Sequence, residues 1–193
     1  MHKIRTAILI SGRGSNMRSL VEAAQTPDFP AEIVLVLSNR PGASGLQFAR
    51  QMGIQTVCID HKAFQSRTDF DAEIQKILLA QRIGLVCLAG FMRLLTPDFV
   101  NAWRGRMINI HPALLPAYKG LHTHERALAD NAKQHGCTVH FVTPEMDEGE
   151  IILQRAVPVL AGDTPDTLGA RVLEQEHIAY PEALANVAKR LQI

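Results

Sequence analysis

The sequence predicts an α/β fold: a doubly wound, mainly parallel sheet with an antiparallel edge at its C-terminal end. Three observations predict it. Short apolar runs without polar alternation recur through the first half of the chain, as in strands covered on both faces. Helical patterns separate these runs, and a β-α-β order implies right-handed crossovers within one sheet. Beyond residue 136 two strand-like runs flank an acidic loop, and a long helical segment follows.

The first run, TAILIS at residues 6–11, follows a basic start, MHKIR. It is short and no small-residue cleavage site follows, so it reads as a buried strand rather than a signal peptide. Residues 16–24 are helical in pattern, with Asn16 as a candidate cap. Strand 33–38 (IVLVLS), helix 44–52 and strand 55–59 (QTVCI) follow. Residues 68–81 give the clearest helix, with Phe70, Ile74, Ile77 and Leu78 on one face. Strands 85–89 (LVCLA) and 107–110 (MINI) complete the parallel set. Runs 137–142 (CTVHFV) and 151–159 (IILQRAVPV), joined by TPEMDEGE, fit a hairpin or an antiparallel edge. From residue 164 a terminal helix is expected, with Pro165 in its first turn and Pro181 kinking or interrupting it.

The 193 residues fit one domain, 1–193, large enough to bury a core without disulfides or metals. The net charge of +1 lacks the basic excess of a general nucleic-acid binder. No apolar run approaches the roughly 20 residues of a membrane span. Cys58, Cys87 and Cys137 are scattered and form no C-x-x-C pair, which suits a reducing cytosol. They read as core-packing strand residues. A cytoplasmic chain with small-molecule partners, neither nucleic acid nor membrane, is expected, as monomer or homodimer.

Ligands of open α/β sheets bind outside the carboxyl ends of the strands. That directs attention to residues 11–16, 39–42, 90–95 and 109–124. In ISGRGSN, Gly12 and Gly14 permit positive φ and close backbone approach, and the following helix N-terminus favours an anion. The loop is no Walker A motif, because G-K-[ST] is absent. The third glycine of a dinucleotide fingerprint falls at Met17, although Asn39 and Arg40 after the second strand would suit an NADP phosphate. Three readings stand: a monophosphate site, a dinucleotide site and a plain tight turn.

Asn109 and His111 stand two apart at a strand end, so their side chains share a face. An amide donor and an imidazole can there converge on an oxygen that gains negative charge in acyl transfer. His122 and His124 read equally as loop histidines, His140 as a hydrogen-bonded structural one, and His2, His61 and His135 as surface residues. His111, His122 and His124 lack the H-E-x-x-H spacing, and no metal is expected. A histidine kept charged needs a carboxylate partner. Glu145, Asp147, Glu148 and Glu150 are all on offer, and Gly149 permits a tight turn beside Asp147.

Taken in order, ISGRGSN, LAGFMRLL, INIHPALLPAYKGLHTH and HFVTPEMDEGEII make the chain resemble the folate-dependent phosphoribosylglycinamide formyltransferases of purine synthesis, over nearly its whole length. The resemblance implies a Rossmann-like formyltransferase fold. It implies transfer of the formyl group of 10-formyltetrahydrofolate, a co-substrate used without a metal, to the amine of glycinamide ribonucleotide. The N-x-H-P strand end is shared with methionyl-tRNA formyltransferase and formyltetrahydrofolate hydrolase. Those relatives carry a further domain, for which this length leaves no room. By resemblance, Asn109, His111 and Asp147 are catalytic, which selects Asp147 among the loop carboxylates. Gly14, Ser15, Asn16 and Glu176 would hold the ribonucleotide; otherwise Glu176 is an exposed helix acid. Arg67, Met92, Arg93, Leu94, Leu95, Thr143, Pro144, Glu145, Met146 and Asp147 would meet the folate. Arg13 and Pro144 depart from the smaller or polar residues common in relatives, which bears on affinity rather than chemistry.

Overall fold

The protein, described by a computed structural model over residues 2–192, is built on one seven-stranded sheet. Strands β1 (Ile4–Ile10), β2 (Ala31–Ser38), β3 (Gln55–Cys58), β4 (Leu85–Leu88) and β5 (Met107–His111) are parallel, in the order β3-β2-β1-β4-β5. β6 (Gln134–Phe141) then pairs antiparallel with β5, and β7 (Ile151–Pro158) antiparallel with β6. The last two runs are thus a hairpin and an antiparallel edge at once. Strand order reverses between β1 and β4, which opens a crevice at their carboxyl ends.

Unbroken apolar runs are needed because successive side chains enter opposite layers. Ile8, Ile10, Val36, Cys87 and Ile108 pack on one face with α1 (Ser15–Ala24), α2 (Gly45–Gln51) and α6 (Pro165–Leu191). Leu9, Leu35, Leu37, Val86 and Met107 pack on the other with α3 (Arg67–Ala80) and α4 (Pro97–Ala102). Tyr180 of α6 reaches through the first layer. Its buried hydroxyl lies 2.9 Å from the Leu88 carbonyl and 3.1 Å from that of Ile108, pinning the ends of β4 and β5 to one helix.

Several expectations are corrected. Asn16 is no cap: α1 begins one residue earlier, behind a left-handed Gly14, and the Asn16 side chain turns toward α6. Pro181 does not interrupt α6, which runs unbroken across it. Burial of Ala179, Tyr180, Ala183 and Leu184 offsets the one lost backbone bond. A 3₁₀ turn (His61–Ala63), α4 and α5 (Thr123–Ala129) were not anticipated, and His124 lies on α5 rather than in a loop. Cys58 is exposed, because β3 is an edge strand. His135 is buried, because β6 is an inner strand, and His61 is half-buried against Asn39.

Candidate active site

β5 delivers Asn109 and His111 to the crevice, and the register with β6 sets His140 opposite Asn109 and Thr138 opposite His111. Opposed residues share a sheet face, so two strands build one polar patch. Nδ1 of His140 donates to the Phe141 carbonyl at 2.9 Å. Burial pushes this imidazole below its usual range, against that bond and the charge of Asp147. The neutral ring therefore offers Nε2 as an acceptor, and Asn109 Nδ2 lies 3.2 Å from it. One amide proton of Asn109 is engaged there, which fixes the plane of the amide. His140, expected to be a hydrogen-bonded structural residue, is so bonded and also faces the Asn109 amide.

His111 is buried, and Nε2 donates to the Tyr118 carbonyl at 2.9 Å. Its Nδ1 lies 3.4 Å from Oδ2 of Asp147, the only one of the four candidate carboxylates paired with it among the described residues. Asp147 Oδ2 also accepts from the Gly120 amide at 2.9 Å, and Oδ1 lies 3.7 Å from His140 Nε2. Asp147 has φ 55°, a left-handed conformation that Asp tolerates better than most residues. Gly149 explains how the acidic loop gets there. Any Cβ on it would collide with the Phe141 carbonyl, so the turn lies directly against the end of β6.

Beside this triplet lies a cleft of about 650 Å³. Met92, Arg93, Leu94, Leu95, Thr143, Pro144, Glu145, Met146 and Asp147 all line it, as do Asn109, His111 and His140. Met92, Leu94, Leu121 and Met146 hold their apolar side chains largely in solvent around it, the signature of a surface that awaits a ligand. Arg67 stands apart: it opens α3, is exposed and is not in the lining.

The ribonucleotide candidates gather elsewhere. Gly14 has φ 68°, and an added Cβ would sit 2.8 Å from Met17 Cε. Asn16 Nδ2 donates to Glu176 Oε2 at 2.7 Å, while Asn16 Oδ1 is buried without a partner in the protein. Glu176 is buried, not an exposed acid, and burial pushes its carboxyl up against the bond from Asn16. None of Gly14, Ser15, Asn16 and Glu176 is in the cleft lining. Asn39 is fully buried and bonded to Ser11 and His61, so it does not face a cofactor phosphate. Burial raises the thiols of Cys87 and Cys137, the latter to about 12, and leaves them protonated at neutral pH. Among the described residues no three His, Cys, Asp or Glu side chains gather as metal ligands. No helix among them is long and apolar enough to cross a membrane.

A crevice at a strand-order reversal, with an amide, an imidazole and a carboxylate at its end, is where an open α/β sheet places its ligand. The chain belongs to the formyl transferase family, whose profile matches residues 4–184. It is 48% identical to the phosphoribosylglycinamide formyltransferase of Escherichia coli (strain K12), over 90% of this chain and 82% of that one. The crystal structure of phosphoribosylglycinamide formyltransferase from Brucella melitensis superposes with a TM-score of 0.94 at 50% identity, covering 97% of this chain and 96% of that one. The trifunctional purine biosynthetic protein adenosine-3 of Gallus gallus is 49% identical over 97% of this chain, which spans only 19% of that protein's length.

Proposed function

We propose that the protein transfers the formyl group of 10-formyltetrahydrofolate to the primary amine of glycinamide ribonucleotide, in purine biosynthesis. The observation that carries this reading is the meeting of Asn109, His111 and Asp147 at the end of an apolar-rimmed cleft. The names of its relatives support the choice of substrates. We take it to act on small molecules in the cytoplasm, as a monomer or homodimer.

In this reading the amine lone pair attacks the formyl carbon, and the carbonyl electrons move onto oxygen. Collapse breaks the bond from that carbon to N10 of the folate, and the proton of the new ammonium passes to N10. Asn109 has one amide proton held by His140 and directs the other at the oxyanion. His111, with Asp147 at Nδ1, supplies positive charge beside it. Each such stabiliser is worth on the order of 3 kcal/mol. Asp147 pairs with the ring at Nδ1 and relays the proton between nitrogens through water. Residues 92–95 and 143–147 hold the pterin, and Gly14, Ser15, Asn16 and Glu176 hold the ribonucleotide, so proximity supplies much of the remaining rate. The protein contributes no nucleophile.

The test is an assay with 10-formyltetrahydrofolate and glycinamide ribonucleotide that follows loss of the formyl group by absorbance. Turnover that requires both substrates is expected. Absence of turnover, or formyl loss that proceeds without the ribonucleotide, overturns the reading.

A further inference from the structure

We infer that Ser11 is a positioning residue for the 90–95 wall of the cleft. The inference rests on the folate reading of that wall. β1 and β4 pair as far as Leu9 and Leu88, at the switch point. Ser11 ties the two segments together just beyond the last paired residues. Its amide donates to the Gly90 carbonyl at 3.1 Å, and its hydroxyl oxygen accepts from the Met92 amide at 2.8 Å. The hydroxyl proton is committed in turn to Oδ1 of Asn39, at the tip of β2. His61 closes the chain: its Nδ1 lies 2.9 Å from the Asn39 carbonyl and 3.2 Å from Asn39 Nδ2.

Both Ser11 and Asn39 are buried, so each of these bonds lacks competition from water. With one acceptor and one donor engaged, the hydroxyl has a single orientation. Met92, whose amide it holds, is itself 61% exposed and turned to the cleft. The far end of the same wall is held independently, by the Thr96 amide on buried Asp71 Oδ2 at 2.6 Å. The wall is therefore a short segment fastened at two posts. Ser11 is the post that stands directly before the glycine loop, and Asn39 is its brace rather than a reader of nucleotide.

Losing the post frees one end of the wall while the triplet around His111, on β5 and the acidic loop, keeps its own contacts. Ser11→Ala is expected to raise the KM for 10-formyltetrahydrofolate roughly tenfold, the loss of about one buried hydrogen bond. The KM for glycinamide ribonucleotide should change far less, and Ser11→Thr, which keeps the hydroxyl, should restore the folate KM. Asn39→Ala, which leaves the hydroxyl unbraced, should move the folate KM the same way by less. A purely structural role would lower the fraction of active molecules, and so kcat, with both KM values unchanged. That pattern, or a folate KM within about twofold of the parent in Ser11→Ala, overturns the inference. If Ser11→Ala does not fold, Asn39→Ala decides by the same ratio. A parent protein with no formyl transfer would instead condemn the functional reading, and calorimetric binding of tetrahydrofolate to parent and variants would then test the wall directly.

Discussion

The imidazole of His111 and the carboxylate of Asp147 come from segments far apart in sequence and meet at 3.4 Å. If the proposed roles hold, His111→Ala and Asp147→Ala should each lower kcat at least about a hundredfold. Their circular dichroism should match the parent, because neither side chain belongs to the apolar core. Near-parental turnover in either would remove the assigned chemistry. Asn109 and His111 could be picked out from sequence because period two places alternate residues on one face. Asp147 could not be separated from Glu145, Glu148 and Glu150 by spacing. Its selection depends on a left-handed backbone and on the tight path that Gly149 allows, neither of which a pattern of charges displays. His140 went unrecognised because a buried strand histidine looks the same whether or not its free nitrogen points at a functional amide.

For whole elements the glycine loop gives the sharpest test. Gly14→Ala places a methyl in a left-handed position and within 2.8 Å of Met17. It should raise the KM for ribonucleotide well above any change in the folate KM. Equal effects on both would argue against a phosphate at this helix start. The parallel strands and long helices were readable because their periodicity spans many residues. The six and seven residues of α4 and α5 are too few to display it, although Thr96 and Pro97 form a recognisable start signal. The meeting of Asn16 with Glu176, 160 positions apart, has no local sign at all.

Across the molecule, stability should respond to acid in a defined direction. Burial holds His124, His135, His140 and His177 below their ordinary value of 6.5, His135 at about 4. Between these limits the four rings bind more protons in the unfolded chain than in the folded one, a contribution larger than the opposite one from the single raised carboxyl of Glu176. Stability is therefore full above about pH 6.5 and declines as pH falls toward 4. Urea midpoints measured across that window should drop with acidification, and a flat profile would contradict the burial of these rings. Tyr180 ties the longest helix to two central strands. Tyr180→Phe should cost about 1 kcal/mol in urea unfolding, as the carbonyls of Leu88 and Ile108 lose a donor.

Gly149 has no functional group to contribute, yet the acidic turn can follow its path only because a hydrogen atom stands where a methyl would strike the Phe141 carbonyl. A single added carbon would lift the whole turn and carry its carboxylate out of reach of the imidazole. Most changes on loops are forgiven. Under the proposed function, drift to alanine here should extinguish turnover while leaving every reactive group in the sequence, an inactivation that a survey of chemically active side chains would never find.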